Sequence, residues 1–408
     1  MGDLKTAADT MSSKISDINA WATNFAKTPI GIGHGLLTIY AIGYTIQIAL
    51  LPHVIMELKQ PVQVKPVQCI LCSGAFAFFQ LVGALVFGRL ADFIGPRNAF
   101  VLALGSSATM YILMAIATNM ALLFVSQVPA ICMHGFQAAV FLVCLETDEK
   151  HRTPSIAYLN LSYGVGMIAG GFVGALASAF LGARGTLLVS GVIQLFGCFL
   201  AFALGLHLLK TEWSRVVEIV RRTGSLCVLL LVGLMPILMT RFAFTAVAVD
   251  QFDAVVPQPS QTNYLVALIG VVTFGLLAPA LATKFGDVSC ERYSVPVALV
   301  GYLMLLGIGP ISISMILLCL LAPLSHASVR YICATSQMTK RVEASEFGST
   351  LGLNSALFFA VAGLSQFVGL PLYAYYGALS FYIFVLDEET FKAYPPDAAL
   401  SEGLSVFQ

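Results

Sequence analysis

The chain has 408 residues, of which 58% are hydrophobic and 10% are Asp, Glu, Lys or Arg; 21 basic side chains balance 21 acidic ones, and the mean hydropathy is +0.87. A soluble domain carries about a quarter of its residues as charges, so this composition excludes a water-soluble globule. Zero net charge also excludes the basic stripe that nucleic acid requires. A lipid bilayer is the solvent these residues fit.

Residues 1–28 are polar, with no apolar stretch ahead of a small-residue cleavage site, so a cytoplasmic segment is expected over 1–30 and the first span is expected to act as the insertion signal. A helix needs about 20 mostly apolar residues to cross the hydrocarbon core. Eleven such runs follow, at 31–56, 67–88, 98–118, 121–144, 154–180, 186–208, 225–249, 263–283, 294–313, 315–336 and 348–374. They are numbered here as spans 1 to 11. A twelfth run, Ala378 to Leu386, stops after nine residues at Asp387-Glu388-Glu389, less than half a crossing. The expected architecture is all-α and polytopic: an N-terminal half over 31–208, a linker over 209–223, a C-terminal half over 224–386 with an incomplete last helix, and a polar tail over 387–408.

Lys and Arg set the orientation, because positive loops stay cytoplasmic during insertion. Twelve fall in the connections 2–3, 4–5, 6–7, 8–9 and 10–11, against Lys59, Lys65 and Arg184 alone in the opposite set. The expected protein is therefore multi-pass with a cytoplasmic N-terminus; nothing in the sequence selects the plasma membrane over an internal one. Most of the nine cysteines lie inside spans, where they pack as small apolar groups. Cys69 and Cys72 form a CxxC without the two further ligands zinc needs, so no metal and no cofactor is expected.

An internal offset near 194 residues recurs. Asn160 in span 5 maps onto Asn354 in span 11, and one residue further on Asp92 and Arg97 map onto Asp287 and Arg292. Duplicated halves are a common plan in transporters. The linker places Trp213, Val216, Val217 and Val220 on one face against a charged one, the pattern of a short interfacial helix.

Between spans 2 and 3 stands Gly88-Arg89-Leu90-Ala91-Asp92-Phe93-Ile94-Gly95-Pro96-Arg97. Gly88 lets neighbouring helices approach, Gly95 permits a tight turn, and Asp92 can pair with basic groups or sit against a helix N-terminus. Contacts of that kind lock one conformation. The motif resembles the loop signature of the major facilitator superfamily, roughly G-x-L-A-D-x-x-G-x-[RK]. Span 5 adds Gly166, Gly170 and Gly174 at four-residue spacing, a small-residue face for close helix packing. It is similar to the glycine-rich fifth helix of the family's antiporter branch, although Gly171 stands where that pattern has Pro. Span 4 has Gln127 where the family often carries Arg, and the following Glu146-Thr147-Asp148-Glu149-Lys150-His151-Arg152 fits the family's acidic-then-Arg loop as well as a solvated charge cluster.

From Gln80 through Gly174, and again at Gly348-Ser349-Thr350-Leu351-Gly352-Leu353, the chain looks most like the organic cation transporter-like branch, the solute carrier family 22 member 18 type. That resemblance implies the two-bundle helical fold of the superfamily and a transporter of small organic solutes rather than an enzyme. Its fullest form is organic cation or drug exchange against protons. The resemblance also implies a cavity lined by spans 1, 4, 7 and 10, which singles out Gln47, His134, Arg241, His326 and Arg330 as candidate solute or proton contacts. Each has a plainer reading: Arg241 and Arg330 snorkel to the interface, and the histidines are hydrogen-bonded packing residues.

Electrostatics leave the sign of the solute open. No Asp or Glu lies deep in any span, which favours an anion or a neutral solute, while 28 Phe and 14 Tyr can hold a cation by ring faces. No nucleotide-binding loop accompanies the spans, so an ATP-driven pump is not expected, and no channel filter is recognisable. The partners expected are a small organic solute, protons and the lipid bilayer, with no obligate protein partner. The rival reading is a non-transporting membrane sensor or scaffold of the same fold.

Overall fold

The computed structural model describes residues 24–25, 27–58, 65–203, 278–286 and 331–376, together with 219, 222–224, 289–290 and 329. Among them helix dominates and no strand occurs. Four helical stretches, Pro29–Ile55, Gly74–Ile116, Met120–Glu146 and Glu149–Ala203, are long and apolar enough to cross a membrane. The expected spans 7, 9 and most of 8 and 10, the linker apart from a few residues, the twelfth run and the tail lie outside the described residues.

Span 1 is the helix Pro29–Glu57. Thr28 caps it, its hydroxyl oxygen accepting from the Gly31 amide at 3.1 Å, and Pro29 supplies the pre-set φ of a first helical residue. Spans 2 and 3 are one helical run, Lys65–Ile116, turned at Gly95. Its φ of 78° with ψ of 169° lies in a region essentially restricted to glycine, and Pro96 starts the next arm. Spans 5 and 6, Glu149–Ala203, turn in the same way at Gly182, with φ 67° and ψ −178°. Span 11 is Phe347–Tyr376, entered through a short 3-10 turn, Ala344–Glu346, with a capping box between Glu343 and Glu346.

Span 5 lies tightly along span 1. A Cβ at Gly166 would stand 2.6 Å from the Thr38 carbonyl oxygen, and one at Gly170 would stand 2.5 Å from that of Ile42. Gly174 faces the Ile46 side chain at 3.2 Å. In lipid no hydrophobic force drives helices together, so this approach of backbones supplies the dispersion contact that does. Arg184, in the turn between spans 5 and 6, donates to the Ala115 and Ala117 carbonyls at 2.9 and 2.6 Å and to Glu57 at 2.9 Å. It satisfies the orphan carbonyls at the end of span 3 and ties spans 1, 3 and 5–6 together. Opposite, the apolar side chains of spans 5 and 6 such as Phe172, Phe180 and Phe199 are exposed, as a lipid-facing surface requires.

Span 4 differs from the unbroken crossing expected over 121–144. Helix runs over Met120–Val125, tightens to a 3-10 turn over Val128–Cys132, and resumes as Gly135–Glu146. Pro129 has no N–H to return to the carbonyl four residues back. Ser126 and Gln127 meanwhile turn their side chains onto the Leu123 carbonyl, at 2.6 and 3.3 Å. Met133, with φ −86° and ψ 63°, forms an inverse γ-turn in which the His134 amide donates to the Cys132 carbonyl at 3.0 Å. Neighbouring helices satisfy the Met133 carbonyl: Tyr40 of span 1 donates its hydroxyl at 2.8 Å and Gln80 of span 2 its amide at 3.1 Å.

Candidate functional site

Two groups of residues gather where spans 2 and 4 meet span 11. The first lies on the side of the Lys- and Arg-rich connections. Asp92 leaves span 2 and reaches the first turn of span 11, 256 residues away, where helix geometry leaves amides without intrahelical partners. One carboxylate oxygen accepts from the Gly348 amide at 2.6 Å; the other accepts from the Ser349 amide at 2.7 Å and pairs with its hydroxyl at 2.6 Å. Asp92 is 5% exposed. Of the two partners the sequence left open, a basic group or a helix N-terminus, the helix N-terminus is the one these bonds join it to. The turn lies beyond the spans, and burial pushes the Asp92 carboxyl up to about 6, outweighing the three hydrogen bonds that pull it down.

Gly88 makes the reach possible. A Cβ there would stand 2.4 Å from the Gly348 carbonyl oxygen and 2.8 Å from the Gly352 Cα. On the opposing helix, a Cβ at Gly352 would stand 2.6 Å from the Ala84 carbonyl oxygen. Gln137 of span 4 is buried at the same crossing, with its amide between Gly88, Gly348 and Gly352. Around it Arg152 lies over the Phe347 ring at 4.7 Å, Thr153 bonds Ser336 at 2.6 Å, and Arg222 pairs with Glu346 at 3.2 Å. Gly95 makes the turn, and Arg97 turns away to the C-terminal end of span 6, bonding the Phe202 carbonyl with its guanidinium 4.7 Å from the Phe202 ring. Arg89 is half-buried beside Gly88.

The second group surrounds the break in span 4. His134 stands at the restart of the helix, 3% exposed, with ring centroids of Phe87 (span 2) and Phe359 (span 11) at 5.2 and 5.9 Å. Further ring contacts cross the interface from Tyr44 and Tyr163 through Phe136 to Tyr331 and Phe358. Among the described residues the carbonyl Oε1 atoms of Gln47, Gln80 and Gln127 and the His134 Nε2 are buried with no hydrogen-bond partner. Of the other candidates, Arg241, His326 and Arg330 lie outside the described residues. Of the repeat-related pair, Asn160 bonds within its own helix to the Ile156 carbonyl at 3.0 Å, and Asn354 of span 11 bonds Thr335 of span 10 at 2.9 Å. Among the described residues no group of three metal-ligating side chains is present.

Sequence reasoning missed the partners of Asp92, because Gly348 and Ser349 carry no local mark of their distant neighbour. It also missed the break in span 4; Pro129, followed six residues later by Gly135, was the signal that could have found it.

Residues 35–366 match the model of the Major Facilitator Superfamily. Solute carrier family 22 member 18 of Rattus norvegicus is 28% identical over 335 residues, covering 74% of this chain and 78% of the relative. The Homo sapiens protein solute carrier family 67 member A1 is 28% identical over 337 residues, covering 74% and 77%. In three dimensions the chain is similar to the crystal structure of the human organic anion transporter MFSD10, with a TM-score of 0.71 at 17% identity, covering 93% of this chain and 98% of that one. The all-helical fold, the apolar spans and the match along most of the chain make this an integral, multi-pass membrane transporter and not an enzyme: it belongs to the major facilitator superfamily.

Proposed function

We propose that this chain is a secondary active transporter that carries a small organic solute by alternating access, with organic cation or drug exchange against protons as its fullest form. The observation that carries this reading is the Asp92 cap on span 11. It joins span 2 to span 11 through hydrogen bonds and close glycine approaches. Such a contact parts when water replaces its few polar bonds, as a device that opens and closes needs. The Lys and Arg bias puts it on the cytoplasmic side. In this reading the described arrangement is closed to the cytoplasm, Gly166, Gly170 and Gly174 keep span 5 on span 1, and Gln47 and His134 belong to the solute or proton path with Arg241, His326 and Arg330.

The test is reconstitution in liposomes, with organic cations, anions and neutral solutes offered on one side, with and without an imposed pH gradient. Saturable, gradient-driven flux altered by Asp92→Ala supports the reading. Tight solute binding with no flux of any class would refute it and make the chain a non-transporting membrane sensor.

A further inference from the structure

We propose that Arg152, at the head of span 5, is a buried cation without a counter-ion whose burial favours parting span 5 from span 11, so that it opposes the Asp92 cap on the same helix. The two arrangements it acts on are those of the alternating access proposed above, and the inference rests on that reading; the cost of burying Arg152 stands on its own contacts.

Arg152 is 6% exposed. Among the described residues its one hydrogen bond runs from a terminal guanidinium nitrogen to the Thr147 carbonyl at 3.5 Å, the outer limit of such a bond, and its Nε has no partner. A guanidinium carries five N–H donors and does not give up its charge, so only acceptors or water relieve it. The carboxylates of the junction are engaged elsewhere: Asp92 with Gly348 and Ser349, and Glu346 with Arg222 at 3.2 Å. Glu146, Asp148 and Glu149, in the connection just before Arg152, are exposed, and among the described residues no carboxylate forms an ion pair with it. Lys340, beyond span 10, meanwhile brings a second positive charge to the adjacent Thr153, 3.5 Å from its hydroxyl.

What Arg152 gains from span 11 is the face of Phe347, with the guanidinium carbon 4.7 Å from the ring centroid. A ring face returns less than the hydration an ion loses on leaving water, and an apolar residue of similar volume in place of a buried ionic group is often the more stable choice. Phe347 directly precedes Gly348 and Ser349, so the bonds that seat Asp92 on span 11 also lay that ring over Arg152. The cap and the burial of the cation come together. Parting returns water to the guanidinium and leaves it beside the three exposed carboxylates of its own connection. A carrier with two arrangements needs such an opposing term, because a ligand shifts an equilibrium only by its differential affinity, and a cap with nothing against it would hold one arrangement whatever the solute does.

The experiment uses the purified full-length chain in lipid nanodiscs with spin labels at Lys27→Cys and Ala344→Cys, both exposed and away from Arg152 in the chain, and reads the ratio of short to long separations. Arg152→Met, uncharged and able to lie along Phe347, should raise that ratio about tenfold. Arg152→Lys keeps the charge and should not raise it. Added to Asp92→Ala, Arg152→Met should bring the ratio back toward the parent value. Phe347→Leu should lower the ratio by about threefold more in the parent than in Arg152→Met, since only the parent has a cation for the ring to hold. Arg152→Gln serves as the second variant if Arg152→Met does not fold. A folded Arg152→Met that lowers the ratio makes the residue a second latch and overturns the proposal, as does an Arg152→Lys that raises it as far as Arg152→Met. Solute flux in liposomes together with a ratio that Arg152→Met leaves unchanged removes the inference and keeps the transporter. A ratio raised by Arg152→Met, with no flux of any solute, keeps the inference and removes the transporter.

Discussion

Replacing Asp92 by alanine tests how the two halves are held. The carboxylate accepts from the Gly348 amide, the Ser349 amide and the Ser349 hydroxyl at 2.6 to 2.7 Å. Without an acceptor the Gly348 and Ser349 amides cost about 1 kcal/mol each, about 2 kcal/mol in all, while the Ser349 hydroxyl can rotate to another partner. Under the proposed alternating access, Asp92→Ala leaves those donors buried and unmet in the closed arrangement, whereas opening hydrates them. Since about 1.4 kcal/mol is tenfold, the closed population should fall about 30-fold relative to the open one. Spin labels at Lys150→Cys and Ala344→Cys, both exposed and on opposite sides of the contact, report the separation of the halves. The variant should move the distance distribution toward the longer state, and Ser349→Ala should move it part of the way. An unchanged distribution in folded Asp92→Ala would refute the reasoning.

Three further outcomes are expected. Burial raises the Asp92 carboxyl to about 6 in the closed arrangement against an ordinary 3.8 when hydrated, so closure binds a proton: the closed state should gain as pH falls through 6 toward 4 and lose that gain as pH rises through 6. The same spin-label pair measures this, and Asp92→Asn should flatten the response. Gly170→Ala puts a Cβ 2.5 Å from the Ile42 carbonyl oxygen and 2.8 Å from its Cα, so spans 1 and 5 must separate; the loss should be about 1 to 3 kcal/mol in a thermal-unfolding measurement in nanodiscs. Gly182→Ala meets no atom within 4 Å but must hold a φ of 67° with ψ of −178°, so a comparable loss of about 1 to 3 kcal/mol should arise from the torsion alone. Equal stability of Gly182→Ala and the parent would show that the turn relaxes.

What the sequence determined by itself was set by solvent and by torsion. A bilayer offers backbone groups no partners, so a helical crossing needs a long apolar stretch and is visible as an uncharged run. The turn at Gly95 was legible because its backbone angles demand glycine and the proline beside it starts a helix. The glycines of span 5 were legible as a spacing, and the helix they meet was not. Only the tertiary structure decided that Asp92 caps span 11, since 256 residues of chain separate it from Gly348 and nothing local to either records the other. Only the tertiary structure decided that span 4 breaks. Hydropathy reads the burial of side chains, which a helix, a 3-10 turn and a γ-turn satisfy alike, whereas the break depends on Tyr40 and Gln80, from two other helices, accepting responsibility for one carbonyl.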